Sequence, residues 1–217
     1  MAISIAEVGT ASTGYGTSIS TSAFTPTADS LLLVNFRINS AATGIGISGH
    51  GTWTQQESVI QSSRQLEGWA YLTGGSPSNV AVTASWSAPP QAAQLQVLEV
   101  TGGDVTSLAA AIVQSNSQGF YNGGAGPDTN TITLSAFDDS GNTTFFCADS
   151  VDSAEAGFTL IATFSVLSSY AKYATEDTSP SWDTLGPDHL VGLAYELAPA
   201  AAGGGGIEIL RRRIEGH

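Results

Sequence analysis

Three histidines, one cysteine and 19 carboxylates are the groups from which this 217-residue chain would have to build catalysis or a metal site. Gly46-Ile47-Ser48-Gly49-His50 approaches the Gly-x-Ser-x-Gly turn that presents a nucleophilic serine. Histidine stands in the fifth place, however, and no helical pattern follows, so His50 reads as a solvated turn residue. His189 comes after Pro187-Asp188, His217 is the last residue, and no two histidines share a metal-ligand spacing on one element. Cys147 sits inside the apolar run Phe145-Phe146-Cys147-Ala148 and reads as a buried small hydrophobe. Asp149, Asp152 and Glu155 fall together in one predicted loop that could hold Ca²⁺, whose hard oxygen ligands come from such loops, but no cofactor is assigned. Their spacing is not that of an EF-hand. Asp138-Asp139 reads as a turn closed by local backbone hydrogen bonds. Neither a glycine-rich phosphate loop nor a dinucleotide fingerprint is present, and no catalytic residue is assigned.

Stacking on sugars is the other chemistry these residue types offer, through Trp53, Trp69, Trp86 and Trp182. Trp86 shares a predicted strand face with Val80 and Val82, which marks it as core. Trp182, between Pro180-Ser181 and Asp183, is the candidate for exposure and hence for glycan binding. The remaining tryptophans read as core.

The elements that must carry these residues are strands. Charged residues make up 12% of the chain and lysine occurs once, so the usual surface helix formers are scarce. Leu32, Val34, Phe36 and Ile38 alternate with Asn35, Arg37 and Asn39, the clearest period of two in the sequence. Further strands are predicted at 3–8, 19–24, 53–60, 67–73, 79–86 and 94–101, separated by turn-rich links at 9–16 and 44–51. Pro89-Pro90 closes one of them. Only Val105–Val113 could make a short helix.

The path then repeats. Tyr121 stands for Tyr15, Ile132–Phe137 for Ile19–Phe24, Thr143–Asp149 for Ser30–Phe36, Phe158-Thr159 for Trp53-Thr54, Tyr173 for Tyr71, and Glu196 for Glu99. Matches in the same order point to duplication. The predicted fold is all-β: one jelly-roll-like sandwich over residues 1–198 with internal pseudo-twofold symmetry, its halves being 1–103 and 108–198. Two immunoglobulin-sized domains in tandem are the alternative. Glu99 and Glu196, being duplicated, read as structural.

The C-terminal stretch differs in kind. Residues 199–206 read as a flexible Gly/Ala linker. Beyond it Ile207, Ile209, Leu210 and Ile214 flank Arg211, Arg212 and Arg213, half of the basic residues in the chain. Residues 1–206 hold 17 acidic groups against Arg37, Arg64 and Lys172. So acidic a body should repel phosphate backbones, and nucleic acid is excluded as a partner. Against it, an amphipathic cationic peptide reads as a docking arm. The N-terminus has neither the basic region nor the apolar core of a signal peptide, and no run is long enough for a membrane helix. Synthesis in the cytoplasm and no membrane insertion are therefore expected.

Leu31-Leu-Leu-Val-Asn-Phe36, the aromatic-Thr pair Trp53-Thr54, the Tyr71 strand, Val80-Ala-Val-Thr-Ala-Ser-Trp86 and Val97-Leu-Glu-Val-Thr-Gly-Gly103 occur in that order. A weaker second copy ends in Leu193-Ala-Tyr-Glu-Leu197. Over about residues 1–198 this pattern resembles a β-sandwich family found among the structural proteins of tailed bacteriophages. The resemblance implies a non-enzymatic virion component, and the expectation drawn from it is an accessory protein of the particle's exterior, either a tail-associated fibre or spike attachment protein or a head decoration. Its implied partners are other virion proteins, further copies of itself and a host surface glycan. A carbohydrate-binding module without catalytic activity is the alternative function, and a glycoside-active enzyme the third.

Overall fold

The computed structural model describes residues 2–87, 92–122, 127–137, 139, 141–173, 175–185 and 188–201. The arm residues Ile207, Ile209, Leu210, Arg211, Arg212, Arg213 and Ile214, together with Pro89-Pro90, Asp138 and His217, lie outside them. Eight strands form the first half: β1 (Ser4–Thr13), β2 (Ser18–Ser20), β3 (Leu31–Ile38), β4 (Gly46–Ser48), β5 (Thr54–Gln61), β6 (Arg64–Leu72), β7 (Thr83–Ser85) and β8 (Ala93–Thr101). One helical turn, α1 (Leu108–Ala111), capped by the Ser107 hydroxyl, leads into the second half. Its strands are β9 (Ile112–Asn122), β10 (Pro127–Thr131), β11 (Thr143–Asp149), β12 (Ser153–Ala154), β13 (Thr159–Phe164), β14 (Leu167–Lys172), β15 (Ser181–Leu185) and β16 (Asp188–Leu197).

Both halves pair their strands identically. The first makes a five-stranded sheet, β1-β8-β3-β6-β5, and a three-stranded sheet, β2-β7-β4; the second makes β9-β16-β11-β14-β13 and β10-β15-β12. An eight-stranded jelly roll places its fifth strand beside the fourth. Here β5 and β13 have moved to the sixth strand instead, lengthening the large sheet and shortening the small one. The fold is thus an all-β jelly-roll sandwich, duplicated.

Three apolar clusters show how the layers stack. One lies between the large and small sheets of the first half, around Leu32, Val34, Phe36, Trp86 and Val97. A second does the same for the other half, around Phe146, Ala148, Trp182 and Ala194. The largest joins the two halves, bringing Leu31, Leu33, Leu66 and Leu98 against Phe145, Cys147, Leu193 and Tyr195. Four layers result, where a single two-layer sandwich shared by the halves was expected. Each half had enough strands to close its own sandwich, and both large sheets remained apolar on the outer face.

That arrangement explains β3, every residue of which is buried. Its even positions face the small sheet. Its odd positions face the other half. Asn35 Nδ2 donates to Ser169 Oγ (3.2 Å), and Arg37 Nε meets Asp149 Oδ2 at 3.0 Å. Arg64 Nη1 reaches the same oxygen at 2.9 Å, while Asp149 Oδ1 accepts from the Val191 backbone N–H at 3.0 Å. Arg37 is 4% exposed and Asp149 fully buried. Register makes the two equivalent: Leu32 lies opposite Glu99 in the first half and Thr144 opposite Glu196 in the second. Arg37 and Asp149 each follow five residues on. The comparison by sequence had set Asp149 against Phe36, and Tyr173 against Tyr71, each one residue out. In a strand one residue is the difference between opposite faces.

Close approach requires glycine at two places. A Cβ on Gly68 would stand 1.9 Å from the Tyr195 hydroxyl, which crosses from the other half. A Cβ on Gly192 would stand 2.5 Å from the Trp182 ring. The outer strands of both large sheets, β1, β5, β9 and β13, each carry one register shift, with Val8, Gln56, Val113 and Ile161 as the extra residues. Those in β5 and β13 fall at equivalent positions, opposite Trp69/Gly68 and Tyr170/Ser169. Several sequence expectations shift in detail. β1 runs on to Thr13 through its bulge, the loop at 44–51 contains β4, and the predicted strand 19–24 keeps only its start and a bridge from Phe24 to Val80.

Removing one member of a buried ion pair strands the other. Asp149→Ala should lower the unfolding free energy by about 3–5 kcal/mol in guanidinium titration. A loss below about 1 kcal/mol would mean the pair contributes no more than a surface one.

Candidate functional site

Most of the chemistry-bearing residues turn out to be spent on the fold. Glu99 Oε1 accepts from the Thr27 N–H and, at 2.9 Å, from the Ser30 hydroxyl, fastening the loop before β3. Glu196 accepts from Asn142 Nδ2 before β11 and from Gln114 Nε2. The duplicated glutamates thus do duplicated work. Asp149, wanted for a Ca²⁺ site, is engaged by Arg37 and Arg64, and Glu155 accepts from Ser181 Oγ at 2.9 Å. Among the described residues no three His, Cys, Asp or Glu side chains come together as metal ligands. The Ser48 hydroxyl donates to the Thr83 carbonyl (3.5 Å), away from His50. His50 holds a left-handed turn (φ 59°) and packs on the Phe24 ring at 4.8 Å, so it is half-buried rather than solvated. Burial lowers its pKa below the usual imidazole value. His189 stacks on the exposed Tyr121 ring at 4.7 Å. Asp139 accepts from the Gly141 N–H at 2.8 Å, the local turn bond expected of it. Cys147 is fully buried, and its thiol is pushed up to about 12 by that burial.

The tryptophans are placed differently from the sequence reading. Trp182 is 1% exposed, with Phe146 stacked at 5.5 Å and Phe120 edge-on at 5.3 Å. It offers no face to a sugar. The reason lies in the repeat. Trp86 donates its backbone N–H to Thr17, and Trp182 pairs with Asn130, so each caps its own sandwich from the seventh strand of its half. Ser85-Trp86 and Ser181-Trp182 carried that equivalence in the sequence. Trp53 (7% exposed) and Trp86 (4%) are core as well. The half-buried one is Trp69, on β6.

Trp69 lines a cleft of about 250 Å³ with Gln55, Gln65, Glu67, Ala42 and Ile45. The cleft exists because β5 left the small sheet, so three strands must cover the face of five. Within it Glu67 is only 2% exposed. Its carboxylate accepts from Gln65 Nε2 (2.6 Å), Ser58 Oγ (2.7 Å) and Gln55 Nε2 (2.5 Å). Gln65 is oriented in turn by accepting from the Ala42 N–H at 2.9 Å. Hydrogen bonds from neutral donors keep so buried a carboxylate satisfied without a cation.

A second hollow, about 370 Å³, lies where β16 ends, lined by Asp104, Val113, Asp139, Asn142 and residues 198–201. Residues 199–201, expected to begin a flexible linker, are in fact tied down at their start. Gly103 bridges to Pro199, and Ala200 N donates to Gly102 O at 2.8 Å. The connector between the halves needed partners for its backbone groups, and these residues supply them. Asp104 accepts from the Thr106 hydroxyl (2.6 Å) and N–H (2.8 Å), which hold its carboxyl below the ordinary range. Compared with models of known protein families and with curated proteins, the chain matches none.

Two measurements check this placement. Cys147 should resist Ellman's reagent in the native protein at about pH 8 and react once denatured; rapid native reaction would contradict its burial. Trp182→Ala should cost about 3–5 kcal/mol in denaturant unfolding, as a core deletion does.

Proposed function

We propose that this chain is an accessory structural protein on the exterior of a tailed-phage virion, a tail-associated attachment protein or a head decoration, held to the particle by its C-terminal arm. The body supports the reading by being self-contained. Both large sheets are covered on both faces, and the chemistry-bearing side chains traced above are engaged in holding strands and loops together.

The observation that carries the proposal is the seam between the halves. There residues 198–200 pair with the Gly102–Asp104 connector, which fixes them beside two carboxylates, Asp104 and Asp139. Everything cationic beyond that point, Arg211, Arg212 and Arg213, belongs to the arm. A rigid acidic body and a basic amphipathic terminus divide the labour of display and attachment. Other virion proteins and further copies of this chain are the partners this implies. The alternative function, a carbohydrate-binding module without catalytic activity, is favoured by one observation, the Trp69 cleft.

Deleting residues 203–217 should leave a folded, soluble body with an unchanged far-UV spectrum that is missing from purified particles when their protein content is measured by mass spectrometry. Incorporation at the full-length level would overturn the anchoring role.

A further inference from the structure

We propose that the Trp69 cleft is a binding subsite for a neutral sugar ring, with Trp69, Gln55 and Glu67 as its contacts. The two copies argue for it by comparison. Trp69 lies opposite Val34 and Gln55; its counterpart Tyr170 lies opposite Phe146 and Leu160. Tyr170 stacks on Phe146 at 5.0 Å, and Ser168 stands where the first half has Glu67. The second copy therefore shows that the fold is satisfied by a tyrosine, a serine and a leucine there. The first copy instead holds an indole, a buried carboxylate and two amides. The same topology forms in the second half without them.

What they offer is specific. The indole N–H of Trp69 is buried and has no hydrogen-bond partner. Trp86 and Trp182 share that property, but inside closed cores; Trp69 alone of the three lines a cleft. A buried donor without a partner carries a penalty that a ligand oxygen would remove. Gln55 gives its Nε2 to Glu67, which leaves its Oε1 to accept from a ligand hydroxyl. Glu67 holds three donors, and a carboxylate accepts about four, so one more hydroxyl can bind it. Two acceptors and an aromatic side chain whose N–H lacks a partner, lining about 250 Å³, suit a single pyranose ring with adjacent hydroxyls. Among the described residues no lysine or arginine lines the cleft, and Glu67 would repel a carboxylate or phosphate, so the ring is uncharged.

The site deepens the attachment reading but does not need a particle. Purified full-length protein, labelled with ¹⁵N, is titrated with the methyl glycosides of glucose, galactose, mannose and N-acetylglucosamine up to ~50 mM, the range for weak single-ring binding. At least one should shift the Trp69 indole N–H resonance saturably while those of Trp53, Trp86 and Trp182 stay in place. Trp69→Phe should abolish binding, and Gln55→Ala, which leaves the indole untouched, should weaken it at least ~tenfold. Absence of a saturable Trp69 shift with all four glycosides, or undiminished binding by Gln55→Ala, overturns the proposal. A silent titration removes the sugar site and leaves the anchoring reading intact. Normal incorporation of the arm-deleted chain does the reverse.

Discussion

Arg37, Arg64 and Asp149 form the contact on which the relation between the halves turns. Two similar sheets packed face to face about a pseudo-twofold axis bring equivalent residues together near that axis. Identical charged residues there would repel each other in a medium of low dielectric constant. The two copies have diverged instead, to arginine in one and aspartate in the other at the same strand position. The apolar remainder of the interface, Leu33, Leu98, Phe145, Leu193 and their neighbours, supplies non-directional attraction. A charge pair buried among them is tolerated at only one alignment of the two sheets. The Asn35–Ser169–Gln96 hydrogen bonds, with Ser169 Oγ 2.6 Å from Gln96 Oε1, add a second fixed point on the same interface.

Much of the architecture could be read from the residues. The order of repeated segments foretold the duplication, and period-two alternation located β3 within a residue. Residues 105–113, the one helix candidate, contain α1. What could not be read was the cover over the polar side of β3. Asn35 and Arg37 look like a solvated face, and a pattern of period two does not say what covers each side. Their partners, Ser169 and Asp149, are more than a hundred residues away. Trp182 was misjudged for a nearer reason: its proline and aspartate neighbours outweighed the Ser-Trp pair it shares with the first half. The Trp69 cleft had no sequence signal, since it arises from β5 changing sheets.

Duplication also separates maintenance from specialisation. Positions where the copies agree, Glu99 with Glu196 and Trp86 with Trp182, hold loops and close cores in both halves. Two sets of differing positions stand out. One lies at the interface between the halves, where symmetry itself must be broken. The other surrounds Glu67, where the second half has Ser168, Tyr170 and Leu160. The C-terminal stretch is a further asymmetry, as its first residues complete the connector that only a joined pair of copies possesses.

The bulges in β1, β5, β9 and β13 have a consequence for assembly. A straight outer strand is a template on which a neighbour can add its own strand and carry the sheet onward. These four are interrupted, and the outer strands of the small sheets are two to five residues long. The bulges and the short lengths therefore disfavour main-chain addition along the described margins.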